Sequence, residues 1–316
     1  MKNKNYLSDQ IRNNIPKRNI EEGRESVRMF VEMLKKRKIN VIDEAILNHA
    51  YEEEDYVDEK MLGLVLKALK IDEPVQYIPR YIRNMNAFHA NGTKVVVVDE
   101  LLEYTLISFL FTMYSLENNR SEENVTRCMK NFYVLEDLQN GKREIGTHNE
   151  TQLYEMSLLP ENLMHTAMDN YWTIWTFLIG HELYHAIHPE DRNGKDTELR
   201  ADQYAYRLLI NLIMQQKKNE VPEELQVFWE DQYLSPIILF EMFRLFDVYS
   251  ELKGKKIVYQ DHPTPKERQD NIFSMFKDDI PEEMNTEEGN KVLNLILNSS
   301  EYAEDWLRYK ISKGKL

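Results

Sequence analysis

The sequence predicts an α+β fold that is mainly α, with a small sheet beside one long apolar helix. Apolar residues recur at helical spacing through most of the chain, which marks elements that bury one face. The clearest strand is the β-branched run at residues 94–98. It directly follows Asn91-Gly92, a pair suited to a two-residue hairpin turn.

In chain order, residues 1–20 are polar and Asn-rich and read as a loosely held end. Residues 22–36 place Val27, Phe30, Val31 and Leu34 on one helical face, and residues 42–49 and 57–69 follow the same pattern. Pro74 and Pro79 break it. Residues 77–88 fit either strand or short helix, and then come the turn and the strand. Helices are expected next at residues 101–116, 121–138, 163–188, 197–216, 223–228, 236–252 and 266–276, with a polar loop at 141–151 as a rim that touches substrate. No internal repeat or low-complexity linker interrupts the chain. The expected organisation is a helical N-terminal region at 1–70, a central domain at 71–280 and a helical C-terminal arm at 281–316.

Composition narrows the function. The chain has 316 residues, 42% of them hydrophobic, enough for a sizeable core. Its formal net charge of −14 argues against a nucleic-acid partner or an anionic membrane surface, both of which call for a basic stripe. The acidic runs at 52–55 and 278–288 read as solvated faces and loops. The single cysteine, Cys128, allows no internal disulfide and fits a reducing cytoplasm. The N-terminus has no apolar signal-peptide core, and the best apolar stretch, 106–114, is too short to span a bilayer.

The chemistry is concentrated in His181-Glu182-Leu183-Tyr184-His185, which reads H-E-x-x-H within the apolar helical run 171–187. Positions i and i+4 share a helix face, so both imidazoles can close on one metal ion, with Glu182 near enough to act as general base on a metal-bound water. Gly180 leaves room for close approach of backbone or substrate. Zinc suits imidazole and carboxylate ligands, and a catalytic zinc takes three protein ligands and keeps an open position. Glu198 is the expected third ligand. Asp202, one turn further, would accept the second N–H of a ligand histidine. The 12 residues between His185 and Glu198 include Pro189, Asp191, Asn193 and Gly194, turn formers that let the two helices meet.

With these pieces in hand, the sequence resembles the gluzincins, zinc peptidases with glutamate as third ligand, and more closely the M48-like group that pairs H-E-x-x-H with E-x-x-A-D. Glu198-Leu199-Arg200-Ala201-Asp202 fits the second motif. Asn86-Ala87-Phe88 before the strand and His262-Pro263 to Arg268 after the second helix are similar to further segments of that group, in the same order. The resemblance spans residues 77–276. It implies a zincin-like fold in which a sheet edge, residues 95–98 or the segment before the turn, pairs with extended substrate. It also implies that His262 and Arg268 stabilise the oxyanion of a scissile carbonyl. Members of the group often carry membrane spans, which this sequence lacks. A soluble counterpart is the Lit-type phage-exclusion peptidase.

The expected activity is zinc-dependent hydrolysis of a peptide bond in an intracellular protein. A peptidase-derived sensor or toxin-like regulator of a mobile element, silent until triggered, is the alternative, with the N-terminal region and C-terminal arm as gates. Among the other histidines, His188 reads as a helix C-terminal residue, His148 and His165 as surface or rim, and His89 as a cleft neighbour. Trp172, Trp175 and Tyr184 read as core, and Tyr204 as cleft lining. Substrate identity and oligomeric state are not encoded in any motif.

Overall fold

A computed structural model describes residues 56–68, 70–71, 75–80, 86–89, 95–142, 160–191, 194–223, 226–275 and 287–314. The helices expected at 22–36 and 42–49, the turn at 91–92, most of the rim loop at 141–151, and His148 lie outside the described residues.

The fold is mainly helical with one three-stranded sheet, as the sequence predicts. Helix α1 (Tyr56–Ala68) precedes strands β1 (Gln76–Arg80), β2 (Ala87–His89) and β3 (Val95–Asp99). Then come helices α2 (Glu100–Asn118), α3 (Glu122–Gln139), α4 (Glu161–Ile187), α5 (Lys195–Lys217), α6 (Ser235–Leu252), α7 (Pro265–Met275) and α8 (Glu287–Ser312).

Four consecutive valines make β3 a strand buried on both faces, Val95 to Val98 being at most 4% exposed. β3 is the central strand, parallel to β1 and antiparallel to β2. This overturns the expectation that residues 95–98 form the substrate-binding edge, because both their sides are taken. Among the described residues β1 and β2 are the two edges, and β2, the segment before the turn, is the one set against α4. The register pairs Phe88 with Val97 and His89 with Val96. β1 tolerates Pro79 because β1 is itself an edge strand.

Asp99 ends β3 and caps α2, its side chain accepting from the Leu101 N–H at 3.1 Å, so sheet and helix are joined without a loop. Glu103 on α2 accepts from the Tyr77 hydroxyl of β1 at 2.9 Å and from the Trp175 indole of α4 at 3.0 Å. Helix α4 is apolar on every side, with Tyr171, Ile174, Trp175, Phe177, Ile179 and Leu183 buried, and is therefore the central helix of the core. It packs on α5, α2, α6 and the sheet. Residues 226–229 carry no helix, which corrects the C-terminal half of the helix expected at 223–228. There the Phe228 N–H donates to the buried Gln216 side chain at 2.8 Å, a stronger claim on the backbone than a short helix would make. α8 buries Leu293, Ile296, Ala303 and Leu307 in the same core cluster as α4 and α6. Among the described residues no helix is long and apolar enough to cross a membrane.

Candidate metal centre

Helices α4 and α5 meet at Gly180. A Cβ there would stand 2.8 Å from Leu208 Cδ2 and 3.2 Å from the Ala205 Cα, so glycine is what allows this approach. Ala201 and Ala205 face the same seam and are fully buried. Of the two partners that Gly180 was expected to admit, it is the α5 backbone that lies against it. Gly194, at φ 157°, turns the chain into α5, and its carbonyl accepts from the N–H groups of Thr197 and Glu198. Glu198 thereby sits in the first turn of α5, facing the H-E-x-x-H face of α4.

The structure brings His181, His185 and Glu198 together. The two Nε2 atoms are 3.3 Å apart, His181 Nε2 is 3.2 Å from Glu198 Oε2, and His185 Nε2 is 3.5 Å from Glu198 Oε1. Three corners of a tetrahedron with bonds of about 2.0–2.1 Å lie about 3.3–3.4 Å apart, so the donors fit a zinc-sized cation. These three residues could hold a metal ion.

Behind His181, Asp202 is completely buried and stands 2.9 Å from Nδ1. That acceptor fixes the proton on Nδ1 and leaves Nε2 for a ligand bond. Arg268, on α7, grips both oxygens of Asp202, with Nε at 2.8 Å from Oδ2 and Nη2 against Oδ1, 3.3 Å from His181 Nδ1. Its guanidinium also lies over the Phe240 ring, 4.5 Å from the centroid. α7 begins with a capping box, Glu267 accepting from the Thr264 N–H at 2.6 Å while its own N–H donates to Thr264 Oγ1 at 3.2 Å. Arg268 follows directly, so the capped start of the helix aims it at Asp202.

The charges are coupled. Against the effect of burial, hydrogen bonds to Asp202 and Glu198 lift His181 to about 9. Burial and the charge of His181 lower His185 to about 4. Burial opposes ionisation of Glu198, yet the contacts with His181 hold it at about 2. Burial pushes Glu182 up to about 7, assisted by repulsion from Glu198 and opposed by His181, the His89 N–H and Arg268.

A cleft of about 400 Å³ opens on these residues. His89, on β2, lines it and stacks on His185 with centroids 6.0 Å apart. His262 is exposed at its mouth, with Nδ1 3.4 Å from Glu198 Oε2. His188 caps the end of α4 and turns instead to Tyr184 and Glu190. His165 is exposed, and Trp175 and Tyr184 are buried. Tyr204 does not line the cleft as expected but packs against Tyr184 and His188, a cluster that shields its ring better than the opening would. Phe243 and Asp261 also line the cleft and were missed. Both come from segments remote in sequence, with no motif around them.

No protein-family model, curated protein or solved structure matches the chain.

Proposed function

We propose that this protein is a zinc-dependent peptidase of the gluzincin type, acting on a protein or peptide in the cytoplasm. One observation carries the reading. Two imidazoles and a carboxylate converge at zinc-ligand separations, with the buried Glu182 beside them on the wall of an open cleft. His181, His185 and Glu198 would hold the metal. Bound there, zinc supplies Lewis acidity that brings a water toward ionisation near neutral pH and polarises a carbonyl.

Glu182, buried beside the three ligands on the cleft wall, is the group to take a proton from the attacking water and hand it to the leaving amine. The β2 edge orients the peptide. The Asp99 N–H donates to the Asn86 carbonyl, so by antiparallel alternation Asn86 and Phe88 face β3 while Ala87 and His89 turn their backbone groups outward. The His89 N–H is taken by Glu182, and the carbonyl of the half-buried His89 is the edge group we assign to an extended substrate. His262 is positioned to donate to the developing oxyanion. Arg268 is assigned differently from the sequence expectation: its Nε and Nη2 hold Asp202, and it orients His181 through that carboxylate.

The test is metal analysis by mass spectrometry alongside peptide hydrolysis, comparing wild type with Glu182→Gln. One zinc per chain in both proteins, with hydrolysis reduced about 10²–10⁴-fold in the variant, is expected. A wild-type chain purified with zinc present that holds no stoichiometric metal would end the proposal.

A further inference from the structure

The metal cleft continues into a second cavity of about 500 Å³, and Asn86, Phe243, His262 and Arg268 line both. The second cavity is walled by aromatic and apolar side chains, Phe132, Phe243, Phe246, Tyr249 and Val258 among them. Its charged groups are mostly balanced. Glu136 is held by Lys253 at 2.9 Å and Lys255 at 3.4 Å, and Arg268 by Asp202. Asp247, on α6, is the exception. It accepts from the Tyr259 hydroxyl, and no cation pairs with it among the described residues.

A carboxylate half-sunk in an aromatic wall, with Glu251 as its charged neighbour, is better solvated by a cation than by the wall. Burial accordingly pushes the Asp247 carboxyl up, and Glu251 adds to the effect. The surrounding ring faces already accept a cation, Lys253 Nζ lying 5.4 Å from the Tyr249 centroid. Long basic side chains suit such a place, because their methylenes bury on apolar surface while the head stays polar. The net charge of −14 draws basic peptides toward the molecule.

We propose that this cavity is a specificity pocket, receiving a lysine or arginine side chain of the substrate with its stem on the aromatic wall and its cationic head on Asp247. The inference rests on the peptidase reading and adds the class of residue recognised.

The experiment uses the full chain loaded with zinc. A mixed peptide library is digested and the cleavage positions are read by mass spectrometry. Two matched peptides, one with lysine and one with norleucine at the preferred position, are then compared by kcat/KM. Wild type is expected to favour lysine about 10–100-fold, a range set by loss of a charged hydrogen bond. Asp247→Asn should bring that ratio close to one. Tyr259→Phe, which removes the tie but keeps the carboxylate, should preserve the preference. Hydrolysis without basic preference, or an Asp247→Asn variant that slows both peptides equally, overturns the pocket and leaves the peptidase standing. If zinc-loaded wild type cleaves nothing in the library, the peptidase reading falls and the pocket with it.

Discussion

Asp202 stands 2.9 Å from the Nδ1 of His181, and Arg268 holds both oxygens of the same carboxylate. The three run from α7, through a buried charge pair, to an imidazole whose Nε2 stands beside His185 and Glu198. Asp202→Asn keeps the shape and loses the charge. Metal affinity should fall about 10–100-fold, the usual effect of removing the carboxylate behind a ligand histidine. Chelator competition measures it. An unaltered affinity would remove Asp202 from the metal centre's support.

Gly180→Ala tests the seam between α4 and α5. Alanine gains about 1 kcal/mol in a helix interior over glycine. Overpacking a close contact costs about 1–3 kcal/mol. Leu208 can rotate away from a new methyl, but the Ala205 Cα at 3.2 Å belongs to the backbone and cannot. The clash should win, with a net loss near 1 kcal/mol by denaturant titration. Because α5 carries Glu198, metal affinity should fall as well. A variant more stable than wild type with full metal affinity would show that the helices have slack there.

Much of this was legible in the sequence because periodicity reports burial. The helix boundaries expected for α2 to α7 lie within a few residues of those observed, and the valine run announced β3. Glu198 and Asp202 were legible because their i, i+4 spacing puts them on one face of a helix that the preceding turn formers fold back on α4. β1 was legible only as one of two alternatives, strand or short helix, since Gln76-Tyr77-Ile78-Pro79-Arg80 contains a proline, which its edge position permits. Nor could spacing reveal that Arg268 serves Asp202, 66 positions away, rather than the cleft. Asp247 and the aromatic cavity depend on how α6 lies against α3, and tertiary packing leaves no local trace.

Glu136 offers a pH test away from the metal. It ties α3 to the end of α6, accepting from the Tyr249 hydroxyl at 2.7 Å and from Lys253 at 2.9 Å. Against burial, these partners hold its carboxyl at about 2 rather than the ordinary 4.5. A depressed folded-state value means stability that is complete above about 4.5 and drains away as pH falls toward 2. Glu136→Gln should therefore cost roughly 1–3 kcal/mol at pH 7 and only a small fraction of that near pH 2, where the wild-type side chain is about half protonated. Urea unfolding across that range would show the two proteins converging. A constant gap between them would mean that hydrogen-bond shape, not charge, holds the joint.

Thermal unfolding with and without zinc separates a ligand set from three side chains that merely pair with one another. Zinc at a thousand times its dissociation constant should add about 4 kcal/mol to the unfolding free energy, a shift of several degrees in Tm, and chelator should remove it. Glu198→Ala and His185→Ala should each abolish the shift. The informative case is His262→Ala. His262 lies near Glu198 but is 69% exposed, and it is read here as a donor to substrate, not as a ligand. Its loss should leave the zinc-dependent shift intact while lowering hydrolysis about 10²–10³-fold, the scale of removing one oxyanion donor. If the shift disappears with His262, the site closes with four protein ligands and leaves no corner for water. That is the geometry of a structural zinc, and Glu182 would then have no reaction to serve.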